Sequence, residues 1–279
     1  MNRGRRESGP KLGLRIVLLG LVAGGVAGCA ASRPGLGPGE VAAGEVLEER
    51  ASRIEATRSV RAAGRVSVTQ AGNRFEAEHL VFFQNPGRYR IEIESKPLFG
   101  LLQASAIALA EGDSLVVYSP SHGVLFESSG VADLEFLTPE LRWMAMANAR
   151  GLLLGLPDVS STRPTSRTLR PGREGLYEMC LEGNPGSQTL WLEPGTLSLR
   201  RMEIRDGSGT LLAESTYEYA SGEAVRPKRV QVKCPASDAV ILLTYYEFDL
   251  NAPIDPGVFH LDVPASVHRF RPGDRGGAD

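Results

Sequence analysis

The sequence predicts an α+β fold: one curled antiparallel β-sheet, a half-open barrel of about eleven strands, wrapped over internal helices. Three observations predict it. Segments of strict apolar/polar alternation recur between Gly, Pro and Asn turn signals roughly every ten residues. A helix signal and a long apolar run interrupt them once, between two β blocks. No repeat of fixed length occurs, which excludes a propeller or solenoid. The composition is ordinary for a globular chain, with 279 residues, 42% hydrophobic and 23% charged. It excludes a disordered chain, a collagen and a polytopic membrane protein.

The N-terminus opens with Arg3, Arg5, Arg6, Lys11 and Arg15, then the uncharged run Ile16 to Val26. A basic stretch followed by a short apolar core is the pattern of a secretory signal, and the run is too short and Gly-rich to span a bilayer. It ends in Val26-Ala27-Gly28-Cys29. This tetrapeptide resembles the bacterial lipobox, in which the Cys is lipidated and becomes the new N-terminus. Residues 1–28 are therefore expected to be a lipoprotein signal peptide, and Cys29 the lipidation site. Several acyl chains on Cys29 would hold the protein to a membrane without a spanning helix. Ala30 stands where an Asp would retain such a protein at the inner membrane in the enteric sorting rule, so the outer membrane is expected. Once residues 1–28 are removed, 26 basic residues face 32 acidic ones, a net charge of −6. That balance argues against nucleic acid as a partner, because phosphate-backbone binding needs a basic surface.

Cys29 to Glu40 is Pro/Gly-rich after its lipid-bearing end and is expected to be a flexible tether. The folded domain is expected over residues 41–264, with a polar tail at 265–279. Val41 to Arg61 is rich in Ala, Glu and Arg, and Leu47, Ala51 and Ile54 mark one face at helical spacing. Gly64 to Thr69 alternates as a first strand and ends in a turn at Gly72-Asn73. Phe75, Ala77, Val81 and Phe83 then alternate with polar residues. After Asn85-Pro86-Gly87, Tyr89, Ile91 and Ile93 alternate with Arg88, Arg90, Glu92 and Glu94. Strand-like runs follow at 104–110, 114–119 and 124–128. Thr138-Pro139-Glu140 supplies an N-cap and a first-turn proline for a helix that Gly155 and Pro157 stop. About five more strands fill Gly175 to Leu250.

Cys180 shares a strand face with glutamates and Cys234 one with valines, so in a single sheet their thiols point to opposite sides and are expected not to pair. No pair among His79, His122, His260 and His268 has metal-ligand spacing, and no CxxC, HExxH, GxSxG or phosphate loop occurs. His79 falls on the apolar face of its strand, as an interior histidine does. Glu92 and Glu94, two apart on one strand face, alternate with arginines as a solvated face does. The chain is expected not to be an enzyme and to need no cofactor or metal. A curled sheet around an apolar helix either fills itself with side chains or leaves a cavity for acyl chains, and the pattern leaves both open.

The first β block resembles the LolB-like outer-membrane lipoprotein receptors, and more distantly the soluble LolA-like carriers. The likeness runs through Gly64-Arg-Val-Ser-Val68, Phe82-Phe83, Gly87-Arg-Tyr-Arg-Ile91 and Pro97-Leu-Phe-Gly100, and returns at Gly151-Leu-Leu-Leu-Gly-Leu-Pro157. The lipobox favours the receptor side, since the carrier is not lipidated. The resemblance implies an outer-membrane lipoprotein, a monomer, that takes acylated lipoprotein cargo from a periplasmic LolA-like carrier and inserts it into the outer membrane. The family's membrane-inserting loop maps to Leu98, Phe99 and Leu101, with either Leu98 or Phe99 as the inserting residue. The expected acyl cavity is walled by Phe75, Val81, Phe83, Tyr89, Ile91 and Ile93 and lidded by Trp143, Met144, Met146 and Leu152. The chain's ending, Asn251 to Phe259, is similar to that of wider LolA-like lipid-binding lipoproteins. That similarity keeps open an envelope lipoprotein for another lipid, a phospholipid or glycolipid. A scaffold with a filled core is the third possibility.

Overall fold

The computed structural model describes residues 43–85, 87–94, 105–112, 114–128, 155, 165–183, 186–220 and 225–271. One helix, α1 (Ala43–Ala56), precedes six strands: β1 (Ser59–Gln70), β2 (Asn73–Gln84), β3 (Arg88–Glu94), β4 (Ser105–Glu111), β5 (Ser114–Ser119) and β6 (Val124–Ser128). Eight more follow: β7 (Ser166–Pro171), β8 (Tyr177–Glu182), β9 (Gly186–Leu192), β10 (Leu199–Asp206), β11 (Leu211–Tyr219), β12 (Pro227–Cys234), β13 (Ala239–Leu250) and β14 (His268–Phe270). All fourteen belong to one sheet, in the order β14-β6-β5-β4-β3-β2-β1-β13-β12-β11-β10-β9-β8-β7. Within β1–β6 and within β7–β13 sequence neighbours pair as antiparallel ribbons, and the long β1–β13 pairing joins the two β blocks. β14 alone pairs in parallel, with β6. The described elements all fall in one compact unit, Gly37–Asp279.

This topology corrects the expected fold class. The sheet is mixed and has fourteen strands, not about eleven in an antiparallel half-barrel. It is open, since the end strands β14 and β7 do not pair. α1 is the only α-helix among the described residues, so α+β with a sheet wrapped over internal helices does not describe it. The extra strands carried no alternation to read. β7 (SRTLRP) is an edge strand without a buried residue, and β14 is a three-residue edge strand inside the polar tail. The second β block holds six strands where five were expected. The signal peptide, Cys29, the tether, the Leu98–Leu101 loop and the helix expected from Thr138 to Leu154 lie outside the described residues.

The alternation that predicted β2 is met in the structure. Ala77, His79, Val81 and Phe83 are buried while their neighbours are partly exposed. The same pattern holds along β8 to β12, and one core cluster gathers residues such as Phe83, Met179, Leu190, Met202, Ile204 and Val230. α1 closes onto this core with Val46, Leu47 and Arg50; of the expected face, Leu47 is buried and Ala51 is exposed. A guanidinium thus lies on the buried side of the helix, at a position the apolar spacing did not mark.

Two glycines are fixed by contact. A Cβ on Gly64 would lie 2.3 Å from the Thr244 carbonyl oxygen, at the bulge where β1 meets β13. Gly155 has φ +66°, and a Cβ there would lie 2.6 Å from the Tyr219 hydroxyl. Cys180 is half-buried on the glutamate face of β8 and Cys234 is buried on the valine face of β12, and the two are not joined in a disulfide. Four strand spacings, about 19 Å, and opposite faces separate them.

After β13 the chain crosses to the far edge of the sheet. It runs over the face opposite the core, where Arg90 donates from Nη1 to the carbonyls of Val258 (2.8 Å) and His260 (2.9 Å). Phe259 is buried in this segment, and Tyr118 and Leu125 are buried on that same opposite face. The strap ends as β14 beside β6, where Arg269 and Arg271 share the Glu127 carboxylate.

Candidate functional site

On the core face, the registers of β2, β3 and β4 assemble an apolar trough. Phe83 faces Tyr89, Val81 faces Ile91 and His79 faces Ile93. Across β3, Tyr89, Ile91 and Ile93 face Ala110, Ala108 and Ala106. Val81 and Phe83 are closed into the core, whereas Tyr89, Ile91 and Ile93 remain half-exposed. The alanines of β4 are half-exposed too. Large side chains on β3 thus stand beside methyl groups on β4, an apolar strip of half-exposed residues none of which is charged. Its length from Tyr89 to Ile93 is about 13 Å at the strand rise.

The expected cavity wall is thus brought together on one face. Phe75 shares that face but stands 42% exposed near the β1–β2 hairpin end, outside the closed part. Trp143, Met144, Met146 and Leu152 lie outside the described residues, as do Leu98, Phe99 and Leu101. Glu92 is held by Arg90 at 2.5 Å on the opposite face. His122 is in a surface turn with Nδ1 2.8 Å from the Ser119 hydroxyl. Among the described residues no three His, Cys, Asp or Glu converge as metal ligands.

Two polar groups inside the core escaped the sequence reading in different ways. His79 is interior, as its alternation indicated, and neither ring nitrogen has a hydrogen-bond partner among the described residues. It is 3% exposed, lies over Gly64 and meets the Tyr245 ring edge-on at 5.2 Å. Burial lowers its pKa to about 4, so the imidazole is neutral at any ordinary pH. Arg50 was not singled out at all. Its guanidinium donates to the Leu197 carbonyl (2.8 Å) and the Gly155 carbonyl (3.2 Å), and burial lowers its pKa to about 10. It stays charged near neutrality with no carboxylate in contact among the described residues. The only signal was its position one turn after Val46.

A second depression, of about 520 Å³, lies on the opposite face between the 173–175 turn and Trp191. Arg201 stacks on the Trp191 ring at 4.6 Å while bonding Glu203 and Glu214, and Arg170 pairs with Glu178. These charges are largely spent on one another, as on a solvated sheet face.

No protein-family model and no curated protein matches the chain. Solved structures do. A DUF1329 family protein from Desulfovibrio piger superposes with a TM-score of 0.57 at 12% identity, covering 78% of this chain and 95% of the other. A LolA superfamily protein from Nitrosomonas europaea gives 0.53 at 18% identity, covering 79% and 98%. A domain described as an outer membrane lipoprotein-sorting protein, from Vibrio parahaemolyticus, gives 0.53 at 12% identity, covering 82% and 97%. The fold of this chain is LolA-like.

Proposed function

We propose that the chain is an outer-membrane lipoprotein, anchored through Cys29, that receives acylated lipoproteins from a periplasmic LolA-like carrier. It holds their acyl chains on the trough and releases them into the bilayer, with Leu98, Phe99 and Leu101 as the inserting loop. The observation that carries this reading is the half-exposed apolar row Tyr89, Ile91 and Ile93 beside the alanines of β4, on a LolA-like sheet. An uncharged apolar strip is a poor site for a polar substrate and a good one for hydrocarbon, at about 25 cal/mol per Å² of apolar surface removed from water. No covalent step is needed. Transfer runs downhill if the trough holds acyl chains more tightly than the carrier and less tightly than the membrane.

The test is native mass spectrometry of the Gly37–Asp279 unit secreted to the periplasm, with extraction of co-purified lipid. Acylated lipoprotein or lipopeptide is the expected cargo. Phospholipid or glycolipid alone would replace the receptor reading with carriage of another lipid, and an empty protein that takes up no fluorescent acyl probe would leave only a scaffold. Ala108→Phe covers the strip beside Ile91 and should cut acyl-probe binding at least tenfold with the denaturation midpoint nearly unchanged. Leu98→Glu with Phe99→Glu should stop lipoprotein insertion into vesicles and leave cargo uptake intact.

A further inference from the structure

The depression between the 173–175 turn and Trp191 lies on the sheet face away from the trough, and three features build it. Trp191 of β9 stands between Glu178 of β8 and Arg201 of β10 in one cross-strand row. A bulge in β10 leaves Arg200 out of register between Leu199 and Arg201. Two successive guanidiniums therefore line the depression, where strict strand alternation would offer one. The β7–β8 hairpin end brings Arg173, Glu174 and Leu176 to the wall. It is tied by the Gly172 N–H to the Leu176 carbonyl (2.7 Å) and by the Leu176 N–H to the Arg173 carbonyl (3.2 Å). At about 520 Å³ the space is in the range of small-molecule sites.

Ion pairing holds these side chains without exhausting them. Arg200 donates to Glu193 (2.7 Å), and Arg201 donates to Glu203 and Glu214 while stacked on the Trp191 ring. A guanidinium has five N–H groups and a carboxylate about four lone-pair sites, so each keeps hydrogen-bonding capacity. Arg173 and Glu174 make no ion pair among the described residues. The Thr216 hydroxyl and the Trp191 indole N–H make no hydrogen bond among those residues, and neither atom is sealed from water. The wall thus joins donors, acceptors and an indole. A lone anion would meet Glu174 and Glu178 there, and a lone cation would meet three arginines. We propose that the depression is a second binding site, for a neutral saccharide. A pyranose has an apolar C–H face, which suits Trp191 and Leu176. Its rim of hydroxyls both donates and accepts, which suits the guanidiniums, the carboxylates and Thr216. The proposal stands apart from acyl binding, since the two sites lie on opposite faces of the sheet. Cell-wall glycan and glycolipid headgroups share this chemistry.

The test is calorimetric titration of the full chain, held in a sugar-free detergent, with two neutral probes. One is the linear trisaccharide of N-acetylglucosamine, as in wall glycan. The other is diglucosylglycerol, a glycolipid headgroup without its chains. At least one should bind with a Kd of about 1 mM or lower, and the tighter of the two names the source. Trp191→Leu should weaken that binding about tenfold or more. Glu174→Gly removes a carboxylate at a backbone φ of +59°, which glycine adopts without strain, so the fold is kept. It should weaken binding about three- to tenfold. Failure of both probes to bind at millimolar concentration, or an affinity unchanged in either variant, would overturn the site. Tighter binding of the deacetylated, cationic trisaccharide than of its acetylated parent would overturn the neutral class of ligand.

Discussion

Ala71 and Gly64 show how single backbone positions set the sheet. Ala71 and Gly72 form the two-residue turn between β1 and β2, with φ of +48° and +79°. Two successive left-handed residues make the tight hairpin turn that suits Asn-Gly, and alanine bears a steric cost in its first place. Ala71→Asn should therefore raise unfolding stability by about 0.5–1 kcal/mol, read from the denaturant midpoint at constant slope. Gly64 has the opposite expectation. A methyl 2.3 Å from a main-chain carbonyl oxygen cannot be relieved by a rotamer change, so Gly64→Ala should force β1 away from β13. We expect a loss of about 2 kcal/mol or more, with faster amide exchange at the bulge. The Gly72-Asn73 turn signal was legible in the sequence to within one residue. The bulge at Gly64 was not, because it depends on β13, almost two hundred residues away in the chain.

Elements were legible in proportion to how much of their burial the chain itself encodes. β2 and β3 present apolar residues at every second position, so both their existence and the face shared by Val81, Phe83, Ile91 and Ile93 could be read. β7 and β14 are strands only because a neighbour offers a ladder, and nothing in SRTLRP or HRF announces one. α1 was legible as a helix but not in its orientation, since the side chain that decides it is Arg50. That residue ties the helix to two carbonyls distant in sequence, while Arg53 adds a bond to the neighbouring Thr196 carbonyl. Arg50→Met keeps most of the volume and removes the charge, leaving both carbonyls unmet. The cost of stranding buried acceptors exceeds the gain from not burying a cation, so a loss of about 2–4 kcal/mol is expected. Arg50→Lys can reach one carbonyl at most and should recover only part of it. Increased proteolysis between α1 and β1 would locate the damage, and an unchanged midpoint in Arg50→Met would refute the tie.

For the whole molecule, the groups hidden in its core set a window of pH. The trough could be read from alternation because it is made of apolar side chains. The state of His79 could not, since a histidine on an apolar face looks the same in sequence whether or not its nitrogens are partnered. That difference becomes measurable through protons. His79 is held neutral in the folded chain, with a pKa of about 4 against an ordinary 6.5. As pH falls from about 6.5 to 4 the unfolded chain takes up a proton that the folded chain refuses, so stability declines across that interval and levels off below it. The full loss is about 3 kcal/mol. At the other end, burial raises the phenols of Tyr217 and Tyr245 far above their ordinary 10 and that of Tyr219 to about 12. Above pH 10 the unfolded chain gives up phenolic protons that the folded chain keeps, and stability declines again. Arg50, with its pKa lowered to about 10, acts in the opposite sense there, but as one group against three. Denaturant unfolding followed from pH 4 to 11 should therefore give a plateau between about pH 7 and 10 with a fall on each side. In His79→Phe the fall between 6.5 and 4 should shrink by the imidazole's share while the alkaline limb stays. An acid limb identical in the variant would mean that His79 meets solvent in solution and that its ring is not sealed in the core.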